Sequence, residues 1–105
     1  MVNATGKIKH AKISLAATGT IVAAVSSKKI RVLAMAVTGE AAATVTFNLE
    51  SGTTDLSGIM SMVQGIPMVL PYNPAGWCET TAGVKLDATI ATGKLYGMIT
   101  YQEII

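Results

Sequence analysis

The sequence predicts an all-β fold: a compact antiparallel β-sandwich or jelly roll of about seven or eight strands, with an extended N-terminal arm over residues 1–6. Three observations carry this prediction. Apolar and polar residues alternate with a period of two in run after run, as in "TVTFNLE" and "VKLDATI", the signature of a strand with one face buried. Gly-, Ser- and Thr-rich turn sequences fall where those runs stop. No run carries a helical period, and the one helix-tolerant stretch, "GEAAATV", is under two turns long.

In chain order, "GKIKHAKISL" alternates Ile8 with Lys7 and Lys9, then Ile13 and Leu15 with Lys12 and Ser14. The change of phase between Ile8 and Ile13 predicts a bulge or bend near His10 and Ala11. "TIVAAVSS" offers Ile21, Ala23 and Val25 as one face. "KKIRVLAMAVTG" sets Arg31, Leu33, Met35 and Val37 against Ile30, Val32, Ala34 and Ala36, apolar on both sides, and is expected to be a central strand. "TVTFNLE" turns Val45, Phe47 and Leu49 inward. "VKLDATI" turns Val84, Leu86, Ala88 and Ile90 to one side and Lys85, Asp87 and Thr89 to the other. "KLYGMITYQEI" has no strongly polar face and is expected to be covered on both sides. Turns are expected at 17–20, 38–41, 51–58, 81–83 and 91–93.

The segment "PMVLPYNPAGWCETTAG" departs from this pattern. Pro67, Pro71 and Pro74 remove three backbone donors, so it cannot be a central strand throughout. "YNPAG" is turn chemistry, and Trp77 begins a short strand that sets its ring over the end of the core.

At 105 residues the chain is one domain. Half of it is apolar and 13% charged, about half the usual charged share, which suggests that part of the surface is covered by a partner. The formal charge is +2, and five of its eight basic residues are Lys7, Lys9, Lys12, Lys28 and Lys29. Without an arginine cluster or an interleaved aromatic stripe this basic N-terminal quarter does not point to nucleic acid. No stretch approaches a membrane span, and the N-terminus lacks the apolar middle of a secretion signal. No cofactor is expected.

Chemistry-bearing residues are few. His10 is the only histidine and has no second ligand to make a metal site with. Cys78 is the only cysteine and reads as a small buried hydrophobe, since adjacent Glu79 would point to the opposite face of a strand. Glu40, Glu50, Asp55, Asp87 and Glu103 are scattered over turns and wet strand faces. No catalytic, cofactor or metal residue is assigned.

The pieces "KIRVLAMAV", "VTFNLESGTTDLSG", "GIPMVLPYNPAGWCETTAG" and "VKLDATIATGKLYGMITYQEI", spanning residues 28–103, resemble a family of small proteins encoded by tailed bacteriophages. Where Cys78 stands, that family carries an aromatic or aliphatic residue. The resemblance implies a β-sandwich virion component, a decoration or cement protein on the capsid exterior, made in the host cytoplasm. The alternative is a tail- or fibre-associated module that recognises a host glycan, with Tyr72, Asn73 and Trp77 as its site. The expected partners are the major capsid protein or other virion proteins, and further copies of this chain in a trimer or dimer. The apolar character of both faces over 30–37 and 95–101 and the flexible methionines Met60, Met62, Met68 and Met98 argue for self-association. The candidate interface is Met1, Val2, Asn3, Met60, Met62, Met68, Tyr72 and Trp77.

Overall fold

The computed structural model describes the backbone of residues 5–104 and the side chains of 8–104. These residues form ten strands and no helix: β1 (Thr5–Leu15), β2 (Gly19–Val22), β3 (Lys29–Glu40), β4 (Thr44–Ser51), β5 (Thr54–Asp55), β6 (Met60–Val63), β7 (Met68–Leu70), β8 (Cys78–Glu79), β9 (Leu86–Thr92) and β10 (Lys94–Ile104). They make two antiparallel sheets. The first runs β1-β10-β3-β7, with β8 also paired to β3; the second runs β2-β9-β4-β5, with β6 also paired to β4. Inward residues of both sheets share one core, Ile13, Ile30, Val32, Met35, Val37, Leu95 and Ile99 from the first and Val22, Val45, Phe47, Leu49, Leu86 and Ala88 from the second.

Ten strands stand where seven or eight were expected because an outer strand of each sheet is broken. Strands β7 and β8 lie along the same strand, β3, at Met35–Val37 and Arg31–Val32. Between them the proline-containing segment 71–77 leaves the ladder, since a proline has no N–H to give it. Strands β5 and β6 divide β4 in the same way.

The chain crosses between sheets after β1, β3, β6 and β9 at one end, where Leu15 and Gly39 both pair with Leu95, and after β2 and β8 at the other. The last corner is a single residue. Gly93 has φ of +85°, and a Cβ there would lie 2.7 Å from Val45 Cγ2 and 2.9 Å from Glu40 O, so only glycine turns this corner without displacing the neighbouring corner of β3 and β4.

Four local expectations are corrected. The bend near His10 and Ala11 is absent: β1 pairs with β10 without interruption from Ile8 to Leu15, and the register shifts between Thr5 and Ile8. Ile8 and Ile13 differ in phase because Ile8 lies on the outer face, exposed. In β2 a shift between Thr20 and Val22 buries consecutive Ile21 and Val22, and Ala23 is exposed. In β3 the inward set changes from Ile30 and Val32 to Met35 and Val37. The cause is a bulge at Leu33, since Thr100 pairs with Ala34 and Tyr101 with Val32, which flips the inward parity beyond it. Finally, Thr38–Glu40 belong to β3, and the turn is at 41–43.

The expected arm at 1–6 overlaps β1, which has begun by Thr5. Residues 1–4 lie outside the described ones.

Candidate functional site: the outer face of the first sheet

Once the inward side chains are assigned, the outward faces of the two sheets differ in kind. On the second sheet the outward row is Thr20, Asp87, Glu50 and Asp55, neighbours across β2, β9, β4 and β5. These side chains engage one another. Thr89 Oγ1 donates to Glu50 Oε1 at 2.7 Å, Asn48 Nδ2 donates to Asp55 Oδ1 at 3.1 Å, and Lys85 Nζ lies 3.5 Å from Asp87 Oδ2. The Thr89 hydroxyl, with Asp55 and Asn48 as further hydrogen-bonding neighbours, holds the Glu50 carboxyl below its ordinary range. It is a polar face that satisfies most of its own groups, with Asp87 Oδ1 buried and unpaired.

On the first sheet the outward row is Lys12, Met98, Ala36 and Val69, across β1, β10, β3 and β7. The next row is His10, Thr100 and Ala34, with His10 Nδ1 3.0 Å from Thr100 Oγ1. Met98 is 64% exposed and Val69 60%. Because Ala34 and Ala36 end at Cβ, the sheet is hollow between the larger side chains. A groove of about 220 Å³ lies there, lined by Ala34, Ala36, Val69, Pro71, Tyr72 and Met98 among others. On the other side of Met98 a second depression of about 320 Å³ is lined by His10, Ala11, Lys12 and Gly97. The expectation that the last strand is covered on both sides therefore fails within one chain: β10 is buried inward at Leu95 and Ile99 and open outward at Met98.

The loop 71–77 forms the far wall and is held in place. Asn73 N donates to Leu33 O at 2.9 Å and Trp77 N to Val32 O at 2.7 Å, both on β3. Within the loop, Ala75 N donates to Asn73 Oδ1 at 3.0 Å and Trp77 Nε1 to Pro71 O at 2.8 Å. Arg31, whose side-chain stem packs against Gly76, contacts Glu79 Oε2 at 2.6 Å. The loop is thus anchored at the β3 bulge and closed by its own tryptophan.

Of the candidate interface residues, Met1, Val2 and Asn3 lie outside the described residues. Met62, 7% exposed, is a core residue, turned inward by the pairing of β6 with Val45 of β4. Met60 and Met68 are partly buried against that core. Tyr72 is 57% exposed and borders the groove. Trp77 lies outside the core cluster rather than over its end, 45% exposed. The polar groups of Asn73 and Trp77 that a sugar would use are engaged inside the loop. Cys78 packs against the core, and burial, followed by the charge of Glu79, pushes its thiol pKa up.

Sequence reasoning missed Ala34, Ala36 and Val69. The alternation of bulky and small outward residues was legible, but which strands lie side by side was not.

Among the described residues no group of three or more His, Cys, Asp or Glu side chains could hold a metal ion, and no helix is long and apolar enough to cross a membrane. The molecule is thus of a definite class: an all-β, two-sheet protein with one polar outward face and, in the middle of the other, a grooved apolar patch between polar rows. Comparison with protein-family models, curated proteins and solved structures finds no match to this chain.

Proposed function

We propose that this chain is a structural, non-catalytic component of a tailed-phage virion, a decoration protein that binds the outside of the capsid shell and stabilises it. The fold proposed with it is an eight-stranded jelly roll. If β5 with β6 and β7 with β8 each count as one interrupted strand, the order is that of two four-stranded sheets wound together, an architecture recurrent in viral capsid and lectin domains. Architecture alone assigns no function.

The observation that carries the reading is the contrast between the two outward faces. A protein that acts only on a small molecule has no need of an open apolar sheet face, whereas one that works by being covered does. The resemblance of the segments at 28–103 to small tailed-phage proteins points to the shell as the larger partner. Exposed Ile59, Val63 and Ile66, just before, at the end of and just after β6, offer a second apolar surface. Two surfaces suit a subunit that both self-associates and attaches, because linked weak contacts multiply.

The test is mass spectrometry of purified virions, followed by rebinding of the recombinant protein to particles stripped of it. The expected result is presence in the particle, saturable rebinding and a raised temperature of capsid disruption. Absence from particles with no rebinding overturns the proposal.

A further inference from the structure

We infer that the outer face of the first sheet pairs with the same face of a second copy, so that Met98 of each copy fills the groove over Ala34 and Ala36 of the other. This rests on the reading of that face as an interface and goes beyond it by naming the occupant and the contact.

The groove's size speaks first. At about 220 Å³ it falls below the roughly 300–1,000 Å³ of pockets that enclose small molecules, and it suits an inserted side chain. The knob that would fill it stands beside it, since Met98 and Ala36 are Cα partners on neighbouring strands. Sheets that pack face to face lie about 10 Å apart and interdigitate their side chains. A twofold axis parallel to the strands, lying above the line between β10 and β3, sets Met98 of one copy opposite Ala36 of the other in both directions. Small faces large twice, and methionine adapts to the fit.

Charge agrees with the same axis. It carries Lys12, at one end of the row, over Val69 at the other end, beside Tyr72. It carries His10 toward the Pro71–Tyr72 wall. The Lys12 flanks of the two copies thus stay apart from each other, and each comes beside the Tyr72 ring, where a cation is favourable. No carboxylate occupies the centre of the face; Glu40 and Glu79 lie toward its two ends, opposite Lys94 and Arg31.

Area and order agree as well. Strands β1, β10 and β3, of 11, 11 and 12 residues, with the short β7 and β8 beside them, give at about 4.8 Å spacing and 3.3 Å rise a face of roughly 600 Å², about three-quarters of the ~800 Å² per partner of a standard interface. The wall formed by loop 71–77 is already hydrogen-bonded, which lowers the ordering cost of association.

The experiment is sedimentation equilibrium on the full chain and three variants, with thermal melts and circular dichroism to verify folding. The wild type is expected to be a dimer dissociating in the micromolar range. Ala36→Met sets methionine against methionine, Met98→Ala leaves hole against hole, and each is expected to weaken the dimer about tenfold or more. The double variant Ala36→Met/Met98→Ala exchanges knob and hole, and the dimer is expected to return to within about threefold of wild type, because the two positions are coupled. A wild type that stays monomeric at hundreds of micromolar, a trimer, a dimer indifferent to the single substitutions, or a double variant no better than the singles overturns the inference. The capsid proposal is judged separately: a dimer absent from virions leaves this inference standing and removes that one, and a particle-bound monomer does the reverse.

Discussion

At Gly97 the two central strands of the first sheet come closer than a side chain allows. Its φ is +154°, and a Cβ built there would collide with Ala36 O and lie 2.7 Å from Val37 Cα. In the sequence "YGMI" the glycine only weakens a strand pattern. Across the sheet from Ile13 and Val37 it lets β3 approach β10, and it borders the depression beside Met98. Gly97→Ala adds an atom against backbone that cannot yield. The expected loss is about 3 kcal/mol or more, from backbone strain together with overpacking, measured by urea denaturation; a loss within 0.5 kcal/mol, the ordinary range for surface substitutions, contradicts the close approach. Cys78 and Met62 are the opposite case, ordinary core residues whose rarity or flexibility in the sequence drew attention that their burial does not repay.

Among the elements, the broken edge of the first sheet is the instructive one. In the sequence, three prolines and a tryptophan in a short span read as turn chemistry followed by a short strand over the end of the core. The pairing of both β7 and β8 with β3 makes it an edge strand interrupted by a clasped loop, and prolines on an edge also discourage unwanted strand addition. Trp77→Phe keeps an aromatic ring, though a smaller one, and removes the Nε1–Pro71 O bond. The expected cost is about 1 kcal/mol, with faster amide exchange at Asn73, Ala75 and Trp77 and little change in β9. Unchanged exchange in that loop would mean the indole hydrogen bond does not hold it. The bulge at Leu33 was hidden from the sequence for a plain reason. Both parities of "KIRVLAMAV" are apolar, so a one-residue slip leaves no mark on the pattern, and only the partner strand reveals it.

Over the whole molecule, the acidic row of the second sheet and the apolar face of the first lie on opposite outer surfaces. One consequence is acid sensitivity located on one side. The Glu50 carboxyl is held below its ordinary range in the folded chain, so the folded state binds the proton less readily than the unfolded one. Its contribution to stability is complete above the unfolded pKa of about 4.3 and is lost as pH falls through the folded value. Thr89→Val removes the leading hydrogen bond. The variant is expected to be less stable than wild type at neutral pH and to converge with it as pH falls through the folded value, measured by thermal melts across acid pH; a constant difference at every pH would place the effect elsewhere.

The sequence by itself determined the class of fold, most of the inward-facing residues of β4, β9 and β10, and most of the corners, though not the one between β3 and β4. Those are consequences of period two, of turn chemistry and of residue type, all of which act within a few positions along the chain. It also signalled that residues 30–37 and 95–101 have two apolar sides. Only the tertiary structure decided that these two strands are neighbours, that their outward sides form one face with Lys12 at one rim and Val69 at the other, and that Ala34 and Ala36 hollow it. Strand adjacency depends on contacts between residues as far apart as Lys12 and Met98, and no local pattern encodes which edges meet.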